Sequence, residues 1–357
     1  MTLKDSSRKL DLLIENNASF AIFRLPDDSS TKFVMQSRGY PIQITDIEEL
    51  DENNGFVIAP FRITENTPLL IIRPDITNLD EIEVPLKQDR TEKIKKERIR
   101  NIDKKDYSKL FEKFYKPINE GTLQKLVLSR SKNILKNKDF SAGECFYRAI
   151  EKYKHSYVYL FHTPKSGTWL GSTPEMLLAG RGNLWHTVAL AGTQNHKKGK
   201  MAWDDKNLRE QHLVTSYILN QLSSFNIKPE INGPYTTKAG NLAHLKTELN
   251  FTLPDSTNLG RILKSLHPTP AVSGLPKNEA FSFINEHEGR DRRYYTGFLG
   301  MLDMSSDTNI YVNLRCMEIG KNLLTLFSGS GLVTSSNYRD EWKETEQKLK
   351  TMTSIVY

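Results

Sequence analysis

The stretch 309-NIYVNLRCMEIGKNLLTLFSGSG-331 decides the fold. Two runs rich in β-branched and large apolar residues flank Gly320-Lys321-Asn322, a turn-forming triplet, so the pattern predicts an antiparallel hairpin. A helix is expected from about Arg339. Read outward towards the N-terminus, YTGFLGML (295–302), LWHTVALAGT (184–193), TWLGSTPEMLLAG (168–180) and LQKLVLSRS (123–131) share the strand character. Between them, residues 204–225 carry helical spacing at Val214, Ile218 and Leu222, and 106–118 place Tyr107, Leu110, Phe111 and Phe114 on one helix face. Residues 18–75 alternate short apolar runs with turn clusters such as PDDSS and DENNG, and read as an antiparallel meander. Strands and helices in mixed order, with hairpins dominating, imply an α+β fold of antiparallel sheets flanked by helices.

The 357 residues, 38% of them hydrophobic, suffice for a substantial core. The N-terminus MTLKDSSRKLDLLIENN lacks the apolar segment of a signal peptide, and no run is long enough to span a membrane, so the expected location is cytoplasmic. Cys145 and Cys316 are the two cysteines, which excludes a disulfide framework or a cysteine-rich zinc site. The net charge of +7 raises the question of nucleic acid. The excess is concentrated in 87-KQDRTEKIKKERIRNIDKK-105, where acids interrupt the bases and no aromatic offers a stacking platform. A solvated linker or helix face is the expectation there, and its field favours a small anionic substrate.

Lys125 lies in QKLVLSR on the strand face of Val127 and Ser129, opposite Leu126 and Leu128. Two readings stay open: a solvent-facing lysine that discourages sheet aggregation, or a desolvated one whose lowered pKa lets it accept a proton near neutrality. Glu175 follows a GSTP turn and is either a strand-start carboxylate facing water or a buried carboxyl able to donate a proton. Glu210 heads the apolar stripe of its helix, while Glu341 and Glu344 project to one side of the last helix. Two such helices meeting would offer oxygen ligands with room for waters, which suits magnesium. The alternative for the C-terminal pair is ordinary helix electrostatics, with Glu344 paired to Lys348. Arg315, taken as part of one continuous strand YVNLRCMEI, shares a face with Tyr311, Asn313 and Met317 and needs an anion. Residues 328–331 can present backbone N–H groups to a second anionic oxygen. They match neither the P-loop nor the dinucleotide fingerprint, so nucleotide binding is not expected.

Taken in order, QKLVLSR, LGSTPEMLL, ALAGT, KNLREQ, HLKT (244–247), LHPTPAVSGLP (266–276), EGRDRRYYTG, NLRCMEI, GSGLV and EWKETEQK resemble the chorismate-utilising enzymes. That family includes isochorismate, salicylate, anthranilate and aminodeoxychorismate synthases. The resemblance spans residues 106–357 and implies a single large chorismate-binding domain, with 1–105 as the variable N-terminal part of the same fold. Position by position it implies Lys125 as the base that activates water, Glu175 as the acid that protonates the departing hydroxyl, and His244 as the histidine near the ring. Glu210 and Glu344 would bind Mg2+, with Glu341 acting through a water. Arg315, Tyr295 and the amides around Gly329, Ser330 and Gly331 would hold the substrate's carboxylates, and Gly192 and Thr193 would line the pocket floor.

Members of this family that use ammonia usually carry glutamine where Lys125 stands, and those with a covalent lysine carry it at the position of Ala191. The resemblance therefore implies reversible, Mg2+-dependent conversion of chorismate to isochorismate, a product that serves menaquinone or siderophore synthesis. It implies a monomer with no glutaminase subunit, nucleic acid or membrane partner. A salicylate synthase, which goes on to eliminate pyruvate, is the alternative within the family; a catalytically silent or basic binding protein is the alternative outside it. The sequence departs from the family at Gln211, where histidine is common, at Asn207, acidic in some members, and at Ser273-Gly274, commonly a glycine pair. These departures bear on the tuning of the metal site.

Overall fold

The computed structural model describes residues 2–84, 101–195, 202–239, 242–253, 258–303 and 305–356, so most of the basic stretch 87–105 lies outside the described residues. Helix α1 (Leu3–Glu15) precedes strands β1 (Phe20–Arg24), β2 (Lys32–Met35), β3 (Ile42–Ile44), β4 (Gly55–Ala59) and β5 (Leu69–Ile72). Next come α2 (Lys104–Asn119), β6 (Lys125–Leu135), α3 (Ala142–Lys152), β7 (Tyr157–Thr163), β8 (Gly167–Thr173), β9 (Met176–Arg181) and β10 (Leu184–Asn195). Helix α4 (Asp205–Ser223), β11 (Glu230–Ala239), β12 (Leu242–Thr252), α5 (Leu259–Leu266), β13 (Gly274–Leu275) and α6 (Lys277–His287) follow. The chain ends with β14 (Phe298–Leu302), β15 (Asp307–Val312), β16 (Cys316–Ile319), β17 (Leu323–Leu332) and α7 (Tyr338–Val356).

These strands form two antiparallel sheets, one in the order β13-β6-β17-β16-β8-β7-β1-β2, the other in the order β11-β12-β10-β9-β15-β14-β4-β5-β3. Alternate residues of one strand enter different cores. Ala21 and Phe23 of β1 meet Phe56 and Ile58 of β4 between the sheets. Phe20 and Ile22 face outward into a cluster with Leu10 of α1, Cys145 of α3 and Leu349 of α7. On the other outer face, Val57, Leu69 and Ile71 pack with Val214 and Ile218 of α4 and Leu263 of α5. The result is helices, sheet, sheet, helices. Both faces of the central strands are covered, which is why FAIF, FVIA and LLII are apolar without alternation.

Residues 18–75 do not form the single meander expected from sequence: β1 and β2 join the first sheet, and β3, β4 and β5 the second. Strand β1 pairs with distant β7, Phe20 opposite His162, because a strand buried on both faces is placed by packing rather than by its neighbour in sequence. The stretch YVNLRCMEI is likewise not one strand. Strand β15 belongs to the second sheet and β16 to the first, so Tyr311 and Met317 sit in different cores. The hairpin at 320–322 is present, with the Gly320 N–H donating to Leu323 O at 2.9 Å, and α7 starts at Tyr338. Sequence reading passed over α1, although Thr2 and Asp5 form its capping box. Among the described residues no helix is long and apolar enough to cross a membrane.

Candidate active site

Two of the chain's crossings between the sheets lie side by side. It leaves β8 at Thr173 and enters β9 at Met176, passing through Pro174-Glu175; it returns between Val312 and Cys316, through Asn313-Leu314-Arg315. The Val312 N–H donates to Glu175 O (2.9 Å) and the Ser172 N–H to Arg315 O (3.0 Å), so the two crossings are bonded to each other. Arg315 adopts φ +46, a left-handed conformation that fits a crossing and not a strand. Contrary to the expectation from sequence, Arg315 therefore shares no strand face with Tyr311 and Met317, yet it lines a cleft between the sheets.

That cleft has a cavity volume of about 70 Å³. Glu175, Gly192, Glu210, His244, Arg315 and Glu344 line it. Tyr295, Gly329 and Gly331 complete the wall from the far side. Tyr295 stacks on Phe327, ring centroids 5.3 Å apart. Beyond Leu326, among the described residues β17 has a ladder partner only on its β6 side. Gly329 turns its carbonyl to Lys348 Nζ at 2.9 Å, and a strand residue points N–H and C=O the same way, so its amide faces that open edge. Ser330, expected to face the substrate with its neighbours, does not line the cleft: its hydroxyl lies 3.1 Å from Tyr107 on α2, because successive strand residues face opposite ways. The side chain of Thr193 lies outside the described residues.

Lys125 opens β6, between β13 and β17, and is fully buried, which removes the reading of a solvent-facing edge lysine. Its Nζ donates to Glu210 Oε1 at 2.7 Å, bringing β6 to α4 across 85 residues of sequence. Burial, the largest influence, would raise the Glu210 carboxyl, but Lys125, Lys206 and Lys348 together outweigh it and hold the group below the usual range. Gly331 keeps this pair in place. A Cβ there would stand 2.7 Å from Glu210 Oε1 and 3.0 Å from Lys125 Cε. The strand is anchored from behind by the buried Glu288–Arg292 pair: Glu288 Oε1 accepts the Ser129 N–H at 2.8 Å, and Arg292 donates to Val127 O and Val272 O at 2.7 and 2.8 Å.

Glu175 behaves oppositely. Its side chain is 4% exposed, and burial pushes its carboxyl up to about 7 despite the opposing fields of Lys125, Lys348 and Arg315. The Thr269 hydroxyl is a distant donor to Oε1 at 3.4 Å. Desolvation wins over attraction, so near neutral pH this carboxyl holds a proton it can give away. His244 is pushed down to about 3, first by burial and then by Arg315, and is neutral. Arg315 Nη2 lies 3.3 Å from His244 Nε2, and since arginine donates, the ring proton sits on Nδ1, 3.1 Å from Gly192 O. Gly192 itself has φ +70 at an irregularity in the β10–β12 ladder, with Asn207 packed against it.

On α7, Glu344 pairs with Lys348 at 2.7 Å, while Glu341, 1% exposed, pairs through Oε1 with Lys206 of α4 at 2.8 Å. Among the described residues no three Asp, Glu, His or Cys side chains are gathered as a ready metal cage. Gln211 points its amide into the second sheet, donating to Ala189 O and Thr247 Oγ1 at 3.0 and 2.9 Å. Asn207 donates to the α4 cap, Asp204 Oδ1. Sequence reasoning missed Lys206 and Thr269, although Lys206 stands four residues before Glu210 and Thr269 lies in LHPTPAVSGLP.

Residues 52–357 match the family described as chorismate binding enzyme. The chain is similar to isochorismate synthase MenF of Escherichia coli, 30% identical over 263 residues that cover 71% of this chain and 61% of that protein. It is also similar to the vibriobactin-specific isochorismate synthase of Vibrio cholerae, 29% identical over 242 residues, 64% of this chain and 61% of the relative. The chain thus spans about three fifths of the length of these curated relatives. Among solved structures, the 2,3-dihydroxybenzoate-specific isochorismate synthase DhbC of Bacillus anthracis superposes with a TM-score of 0.79 at 26% identity, covering 98% of this chain and 99% of the other. With the fold, the cleft and a match over most of its length in agreement, the chain belongs to the chorismate-binding enzyme family.

Proposed function

We propose that the protein is an isochorismate synthase, adding water at C2 of chorismate as the C4 hydroxyl leaves. The observation that carries this reading is a pair of opposites: a fully buried lysine, bonded to the cleft carboxylate Glu210, within electrostatic reach of a buried carboxyl pushed up to about 7. Lys125, as the base, takes a proton from the water whose oxygen bonds to C2. The ring double bonds shift, the C4–O bond breaks, and Glu175 gives its proton to the hydroxyl, which departs as water. Lysine ends protonated and Glu175 ionised, and in the reverse reaction they exchange roles. Arg315, steadied by neutral His244, would bind a substrate carboxylate with its planar fork, while Tyr295 and the amides of Gly329 and Gly331 face the same space. The relatives' names favour water as nucleophile, since each is an isochorismate synthase.

The donor set fits magnesium. Glu210 and Glu344 line the cleft, and the buried Oε2 of nearby Glu341 has no hydrogen-bond partner among the described residues, leaving oxygen ligands few enough for a cation that keeps several waters. When bound, Mg2+ would neutralise the substrate's ring carboxylate and help fix its orientation. A cytoplasmic monomer without a glutaminase subunit is part of the proposal; both cysteines are free and buried, and Lys125 stands where ammonia users usually carry glutamine.

Chorismate and Mg2+ are the test. Isochorismate should accumulate and revert, and Lys125→Ala and Glu175→Ala should lose at least about a hundredfold in turnover with the fold retained by circular dichroism. Salicylate fluorescence without an added lyase would move the assignment to a salicylate synthase, and full activity in both variants would refute the catalytic roles.

A further inference from the structure

Each of the three carboxylates proposed for the metal already holds a lysine. Glu210 pairs with Lys125, Glu344 with Lys348 and Glu341 with Lys206, at 2.7, 2.7 and 2.8 Å. Lys206 differs from the other two. Lys125 comes from the sheet, and Lys348 is the i+4 neighbour of Glu344 on one helix, whereas Lys206 joins α4 to α7 across 135 residues of sequence. Its ammonium also stands within electrostatic reach of both Glu344 and Glu210, so it feels all three acids. The partner carboxylate is 1% exposed and its second oxygen, Oε2, is buried without a hydrogen-bond partner among the described residues. Lys206 is 28% exposed on the first turn of α4, so its flexible stem has a way out to solvent.

We propose that Lys206 is a built-in cation that occupies the carboxylate cluster between α4 and α7 and must leave it for a divalent cation to enter. The inference rests on the metal role given above to Glu210, Glu341 and Glu344. A cation entering the cluster gains the Glu341 carboxylate only as the Lys206 Nζ contact breaks, so the lysine weakens metal binding by competing for the same oxygens. It also holds the two helices together when the metal is scarce. Two like charges cannot share one cluster in a partly desolvated site without strong repulsion. Lys206 therefore sets the metal concentration at which the cleft becomes competent.

The test is Mg2+ titration of chelator-stripped protein by calorimetry, with thermal unfolding in parallel, for wild type, Lys206→Gln and Lys206→Arg. Lys206→Gln should bind Mg2+ about tenfold more tightly than wild type, equivalent to about 1.4 kcal/mol. Its melting temperature should be lower without Mg2+ and rise more on adding it. Lys206→Arg, which keeps the charge, should retain wild-type or weaker affinity. In wild type, lysine acetylation read by mass spectrometry should show Lys206 labelled several-fold faster with Mg2+ than without, a measurement that needs no variant. Wild type and Lys206→Gln binding Mg2+ equally, or Lys206 labelling unaffected by the metal, overturns the inference while leaving the metal site standing. No Mg2+ binding by either protein overturns both.

Discussion

Glu175→Gln offers the sharpest test of how this site is built, because it separates burial from catalysis. Burial, the main cause, pushes the carboxyl from its ordinary value of 4.5 up to about 7 in the folded protein. A group raised on folding contributes fully below its unfolded value and loses that contribution as pH rises through the folded one. Glutamine has nearly the same shape and no charge to desolvate, so it sets the reference. At about 1.4 kcal/mol per pH unit, the raised carboxyl costs the wild type about 1 kcal/mol at pH 5, where only the unfolded chain ionises, and about 3 kcal/mol at pH 8, where the buried group must ionise as well. Urea unfolding of both proteins at the two pH values reads the difference directly. Glu175→Gln should be the more stable protein, by a margin that widens with pH, and should be inactive. Wild-type turnover should decline above about pH 7 as the acid loses its proton. A margin that stays constant between pH 5 and 8, or a variant less stable at pH 8, would mean that Lys125 and Arg315 hold Glu175 ionised, and the acid role would fall.

Two further outcomes concern the scaffold. Arg292→Met strands the Glu288 carboxylate, both side chains being 1% exposed, and should cost about 3–5 kcal/mol in urea unfolding; a loss under 1 kcal/mol would show that the pair does not anchor β6. Gly192→Ala forces a side chain into φ +70 with its Cβ 3.1 Å from Asn207, so about 1–2 kcal/mol of stability should be lost. A neutral Gly192→Ala would show that the irregularity in β10 relaxes freely.

Much of the site was legible because several of its residues come from local patterns. The hairpin at 320–322 and the one-sided spacing of Glu341 and Glu344 follow from turn chemistry and helical period, and both hold in the folded protein. The pairing of Glu344 with Lys348 also follows from that period. The errors share one cause. Reading 18–75 as a meander and YVNLRCMEI as a strand assumed that neighbours in sequence stay in one sheet, whereas the chain changes sheets between Met35 and Ile42 and again between Val312 and Cys316. A crossing has no period to detect, and Arg315 shows its left-handed backbone only once folded.

What the sequence by itself determined is the ordered set of motifs, and with them the family, together with the strands and helices that carry the candidate residues. Tertiary structure alone decided which readings of Lys125 and Glu175 survive. Lys125 could have faced water at an edge, but β13 and β17 flank it and Glu210 meets it from α4. Glu175 is brought beside Arg315 by two hydrogen-bonded crossings about 140 residues apart in sequence. Desolvation depends on everything packed around a group, and most of those neighbours are distant in the chain, so the protonation of a buried carboxyl is set by the fold and not by the residues beside it.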